Sequence, residues 1–119
     1  MAGFDNRSGF TFGDIILVPY ALPGQQMPEH QPSVIVSSST YNQQRGEVLI
    51  MAIAVQSRPD ASCGEMAVLE PEAAGLDKGA ALKPILMTIE QRLVRLILGR
   101  LNDRDRQRLR HLLDLIVGG

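Results

Sequence analysis

The sequence predicts a mainly-β domain, a small and strongly bent barrel of five to seven strands with one α-helix at its C-terminus. Three observations carry this expectation. Several apolar runs are of strand length and lie close together, separated by polar or Pro-rich segments. Only the last stretch of the chain has sustained helical periodicity. The chain has 119 residues, which argues for one domain with a real core.

Each element has a local reason. Residues 1–12 are polar with scattered Gly and Phe, and read as a flexible arm preceding a single domain over 13–119. Residues 14–20 (DIILVPY) are short and β-branched, hence a buried strand. Residues 21–32 hold Pro23, Gly24, Pro28 and Pro32, a density that opposes ladder pairing, so they read as an exposed loop. Residues 33–37 (SVIVS) form the second strand, and 38–46 a polar turn ending at Gly46. Residues 47–55 (EVLIMAIAV) are the longest strand, apolar on both faces, so both faces must be covered. A loop follows over 56–64, then an edge strand over 65–69, a helical turn near 72–75 and a β-like run over 85–89. Residues 93–98 fit a helix stripe or a short strand equally well. From Asn102 to Val117 the reading is a helix, with Asn102 as N-cap and Asp105 completing an approximate capping box. Leu109, Leu112, Leu113 and Ile116 make its apolar face, and Gly118 and Gly119 end it.

Composition excludes several classes. The formal net charge is −1, so bulk electrostatics does not mark a nucleic-acid binder. Seven arginines follow residue 91 against three aspartates, a pattern that most simply describes a solvated helix face. Residues 1–60 carry only Arg7, Arg45 and Arg58 as cations. The single cysteine, Cys63, excludes an intrachain disulfide and a cysteine-based metal site, and suits a reducing, cytoplasmic setting. No apolar run reaches the length of a membrane span, and the N-terminus does not read as a signal peptide.

Catalytic signals are sparse. His30 lies in the Pro-rich loop beside Glu29, where it reads as a solvent-facing residue able to act as acid or base. His111 falls off the helix's apolar stripe and reads as surface. The hydroxyl run at 37–40 has no evident base beside it, and reads as a turn. No metal-ligand spacing, phosphate-binding glycine loop or nucleophile elbow is present, and no cofactor is expected.

Seven segments, taken in order, resemble one family. They are 13–20 (GDIILVPY), 31–38 (QPSVIVSS), 40–42 (TYN), 48–53 (VLIMAI), 74–76 (AGL), 82–90 (LKPILMTIE) and 98–105 (LGRLNDRD). Together they resemble the MazF/PemK toxins of type II toxin–antitoxin systems, over residues 13–117. The resemblance implies an SH3-like barrel of the CcdB/PemK type with a C-terminal helix, assembled as a homodimer. It implies metal-independent, sequence-specific cleavage of single-stranded RNA, in which a ribose 2′-hydroxyl attacks the adjacent phosphate. It also implies a small antitoxin whose acidic segment crosses the RNA groove. Here that groove is expected between the 21–32 and 56–64 loops, with Arg58 and Lys83 as contacts.

The departures from the family pattern fall on the site. The family places an arginine before the proline that opens the second strand, and this chain has Gln31. The family places a threonine at the end of the third strand, within an Ile-Thr-Ser-Gln-like run, and this chain reads Ile53-Ala54-Val55-Gln56. Gln31 can donate a hydrogen bond but carries no charge, and Ala54 offers no donor. Catalysis is therefore expected to be impaired or lost, with His30 as substitute acid or base and Arg58 as substitute cation. Gln56, Ser57, Arg58, Lys83 and Tyr20 are the candidate substrate contacts, Tyr20 and Tyr41 being the rings for base stacking. The alternative is a non-catalytic binding protein on the same fold, holding an antitoxin or nucleic acid, or poisoning DNA gyrase.

Overall fold

The computed structural model describes residues 9–19, 30–55 and 58–118. Six strands form one antiparallel sheet: β1 (Asp14–Val18), β2 (Gln31–Ile35), β3 (Glu47–Val55), β4 (Met66–Ala67), β5 (Ala80–Glu90) and β6 (Leu96–Arg100). Their spatial order is β4-β5-β3-β2-β1-β6, so the sheet curls into a half-barrel with β4 and β6 as its edges. Among the described residues two α-helices join the sheet: α1 (Ser39–Gln44) and α2 (Asp103–Val117).

The two-sided apolarity of β3 has a direct structural reading. Met51 and Ile53 point into one core with Ile15, Val34, Leu82, Leu101, Leu109 and Leu112, the side covered by α2. Val48, Ile50 and Ala52 point into a second core with Ile16, Val18 and Ile35, on the other face. Each large aliphatic side chain removed from water stabilises the fold by about 1.5–3 kcal/mol before entropy is counted. Phe12 packs on the first core and Phe10 on the second. The guanidinium of Arg110 on α2 lies 4.4 Å from the Phe12 ring centroid.

The space between the two sheet edges is filled by α2 and by a 3₁₀ turn at Glu72–Ala74. Gly99 on β6 and Gly75 after that turn permit the contact. A Cβ on Gly99 would lie 2.5 Å from the carbonyl oxygen of Ala74, and one on Gly75 would lie 2.5 Å from that of Leu98. The β4 edge is closed differently. Asp105 accepts a hydrogen bond from the Leu69 N–H at 3.0 Å, and Arg108 donates to the Ala67 carbonyl at 2.9 Å. Asp105 and Arg108 also pair with each other at 2.6 Å. Two helix side chains thus take the place of a neighbouring strand.

Several expectations are corrected. The second strand begins at Gln31, so residues 31–32 belong to the sheet and not to the loop. The 38–46 segment is not a plain turn: it contains α1, whose Ser38 cap accepts from the Tyr41 N–H at 3.2 Å. This helix has no apolar stripe and is fixed by polar burial. Asn42 donates to the Phe10 carbonyl at 3.0 Å, and its side-chain oxygen accepts from the Ser37 hydroxyl at 2.5 Å. Residues 85–89 are part of the longer β5, and its Pro84 sits where the β3–β5 register shifts, outside the regular ladder. The ambiguous 93–98 stretch divides into a 3₁₀ turn at Gln91–Leu93 and strand β6. Asn102 does cap α2, accepting from the Asp105 N–H at 2.8 Å. The return half of a capping box is absent because the Asp105 carboxylate is committed to Leu69 and Arg108.

Candidate functional site

Of the residues singled out from the sequence, Gln31, Ala54, His30 and Arg58 gather at one end of the sheet, whereas Tyr41 stands on α1 at the other. Val18 pairs with Gln31, and Ser33 pairs with Ala52, which sets Gln31 opposite Ala54 when the β2–β3 register is continued. On the far side of β3, Ala54 pairs with Ala81. His30 precedes β2 by one residue and is exposed, and Arg58 lies three residues beyond the end of β3 and is exposed. Tyr20, Gln56 and Ser57 lie outside the described residues.

Gln31 has a definite task. Hydrogen-bonded pairs alternate along the β2–β3 ladder, and the Val36 N–H donates to the Leu49 carbonyl at 2.9 Å. Counting by twos, the Ile53 carbonyl should accept from residue 32. That residue is Pro32, which has no N–H. The Gln31 side-chain amide donates to the Ile53 carbonyl instead, at 2.8 Å. Proline is tolerated in this interior ladder because its neighbour supplies the missing donor. The Gln31 side-chain N–H is thereby engaged within the ladder.

Lys83 is also engaged. It forms an ion pair with Glu65, and both side chains are largely buried. Glu65 in turn accepts from the Asp60 N–H at 2.8 Å. The pair braces the 58–65 loop against β5, which makes Lys83 a structural cation first.

The loop contains a titratable pair that the sequence reading passed over. The Asp60 carboxylate accepts from the Ser62 N–H at 3.0 Å, the Ser62 hydroxyl at 2.7 Å and the Cys63 thiol at 3.3 Å. The Ser62 hydroxyl, followed by the Cys63 thiol, holds the Asp60 carboxyl below its ordinary range. The same carboxylate, by hydrogen bond and by charge, pushes the exposed Cys63 thiol up. Cys63 is therefore harder to ionise than an ordinary thiol, and a poorer nucleophile. The Asp-Ala-Ser spacing of an Asx turn was the available signal.

Chemically, this end of the sheet offers an exposed imidazole, a neutral amide already in use, a methyl group and an exposed guanidinium. Among the described residues, no group of three or more His, Cys, Asp or Glu side chains is arranged to hold a metal ion. No described helix is long and apolar enough to cross a membrane.

Comparison with known proteins gives a consistent result. MazF (Form-I) from Deinococcus radiodurans superposes with a TM-score of 0.71 at 15% identity, covering 92% of this chain and 97% of that one. An endoribonuclease in complex with its cognate antitoxin from Mycobacterial species gives 0.68 at 13% identity, covering 92% and 93%. The Mycobacterium tuberculosis toxin MazF-mt6 gives 0.67 at 15% identity, covering 87% and 96%. At these identities the likeness shows the fold. No curated protein sequence matches this chain significantly. A family profile described as PemK-like, MazF-like toxin of type II toxin-antitoxin system matches residues 11–117, and with nearly the whole chain so covered, the protein belongs to that toxin family.

Proposed function

We propose that this chain is the cytoplasmic toxin of a type II toxin–antitoxin pair, built on the single-stranded endoribonuclease plan, with catalysis impaired or lost. The observation that carries the second half is the Gln31 amide donating to the Ile53 carbonyl at 2.8 Å, opposite the methyl of Ala54. Cleavage by an attacking 2′-hydroxyl needs one group to take its proton and another to protonate the leaving oxygen. It also needs donors on the developing phosphorane charge. Gln31 and Ala54 supply neither. His30 and Arg58 are the remaining candidates for acid–base work and charge stabilisation.

The same observation favours a second reading, a protein that binds without cutting. A single-stranded RNA cleavage assay without added metal separates the two. Wild type is expected to cleave near background, and Gln31→Arg with Ala54→Thr to gain about 10²–10³-fold, the usual worth of a restored transition-state donor. Robust wild-type cleavage abolished by His30→Ala or Arg58→Ala would overturn the impaired reading and place the active centre on those two residues. No cleavage from either protein, with growth arrest on expression, would select the binding reading.

Partner binding belongs to the same proposal. The endoribonuclease–antitoxin complex among the structural relatives supports an antitoxin as partner, which this reading takes to be small and acidic, crossing the groove beside Arg58. A homodimer is supported by a mostly apolar depression of about 360 Å³, lined by Val36, Leu49, Leu86, Leu113 and Val117 beside Asp114. Leu86 is 38% exposed there and Val117 67%, aliphatic area that a second copy would cover.

A further inference from the structure

The fold accounts for most of the arginines that follow residue 91. Arg92 pairs with Glu90 at 2.6 Å, Arg100 with the buried Asp14 at 2.9 Å, and Arg108 with Asp105 at 2.6 Å. Arg106 pairs with Asp103, and Arg110 stacks on Phe12. Among the described residues, no carboxylate or ring engages the side chain of Arg95 or Arg104, and both residues are exposed. Arg104 stands in the first turn of α2. Arg95 stands elsewhere: it immediately precedes β6, and its N–H donates to the Leu17 carbonyl at 2.8 Å.

That position aligns it with the candidate site. Leu96 pairs with Leu17, and the next residue of β1, Val18, pairs with Gln31. Arg95 therefore lies at the same end of the sheet as Gln31 and Ala54, two strand spacings from Gln31, or roughly 10 Å. Arg58 follows β3 on one side of Gln31, and Arg95 precedes β6 on the other. The two guanidinium-bearing residues bracket a strand end whose own residue is uncharged. Beside Arg95, Leu96 is 54% exposed.

We propose that Arg95 is a phosphate-binding residue of this site, holding the backbone of a single-stranded RNA laid across the strand ends from Ala54 toward β6. The inference rests on the RNA reading given above. An arginine already bonded to a carboxylate must give up that bond to take a phosphate, whereas Arg95 has no such competitor among the described residues. Its planar fork matches a phosphate bidentately. Cations that track the backbone supply sequence-independent affinity for single strands. Arg95 is a binding residue and not a catalytic one, since it stands two strand spacings from Gln31, the position to which the family resemblance assigns catalysis.

The test is a fluorescence-anisotropy titration of the full chain with a short fluorescein-labelled single-stranded RNA over a range of salt concentrations. Arg95→Gln is expected to make the slope of log K against log salt shallower by about 0.7, one phosphate contact on a single strand. Arg95→Lys should keep the slope, and Arg104→Gln should leave it unchanged. Arg95→Gln binding with the wild-type slope would overturn the assignment while leaving the RNA reading intact. Equal losses for Arg95→Gln and Arg104→Gln would also overturn it, because the effect would be general charge. No binding by wild type would remove the RNA reading, and this inference with it.

Discussion

The two ends of the curled sheet use the same chemical device to different effect. At one end, Asn42 and Gln91 are buried amides that donate to backbone carbonyls. Gln91 reaches the carbonyls of Asn42, Arg45 and Glu47 at 2.7, 3.0 and 3.1 Å, tying α1 to the turn before β3 and to the end of β5. At the other end, the half-buried Gln31 makes one such bond, to Ile53. An amide in this fold is first a substitute for a missing backbone donor. Where it is fully buried, removing it leaves several groups unpaired away from water. Where it is half-exposed, water can take over. The end built from buried amides is held by several such bonds, and the end with the half-buried amide by one.

The comparison is open to direct attack. Asn42→Ala is expected to have the largest effect, about 2–3 kcal/mol, because the Ser37 hydroxyl and the Phe10 carbonyl both lose partners in a buried setting. Chemical denaturation followed by circular dichroism measures it. Gln31→Ala should cost about 1 kcal/mol in the same experiment, one solvent-accessible hydrogen bond. Equal losses at the two positions would break the contrast. Gln31→Arg keeps a donor and should cost less than Gln31→Ala, which would show that the position accepts the family residue without disturbing the ladder.

A third measurement concerns association. Leu86→Glu places a charge in the apolar depression near the end of α2. If that surface joins two copies, sedimentation equilibrium at micromolar concentration should show wild type as a dimer and Leu86→Glu as a 13.0 kDa monomer. A monomeric wild type would refute the dimer.

The smallest effect is expected in the 58–65 loop. Asp60→Asn removes the charge that opposes thiolate formation, so alkylation of Cys63 by iodoacetamide should quicken at mildly alkaline pH, its profile moving toward that of an ordinary thiol. The sign for Asp60 is the usual carboxylate one. Its folded value is depressed, so its contribution is present above the unfolded value and is lost as pH falls through the folded one. Because the carboxylate is fully exposed, the loop should loosen in acid without global unfolding. An unchanged alkylation profile in Asp60→Asn would show that the hydrogen bond does not persist in solution.

By itself the sequence determined the strand-length apolar runs, the two-sided third strand, the capped C-terminal helix and the family to which they add up. Those features are written in local spacing, and local spacing is what hydrophobic burial reads: β3 matched residue for residue because both its faces are apolar, and α2 because its stripe and its Asn102 cap agree. Tertiary structure decided the rest. Helix α1 has no stripe, so only the buried Ser37–Asn42–Phe10 contacts reveal why it forms. Pro32 argued against a strand until Gln31 supplied a donor from the adjacent position. Asp105 suggested a capping box until Leu69, 36 residues earlier, took its carboxylate. Arg95 was one of seven arginines in an undistinguished basic stretch until strand pairing set it in line with Gln31 and Ala54. Phe10 for Asn42, Ile53 for Gln31, Leu69 for Asp105 and Gln31 for Arg95 are partners remote in sequence, and the hydrogen bonds or charge placements involved have no periodicity for a linear reading to detect.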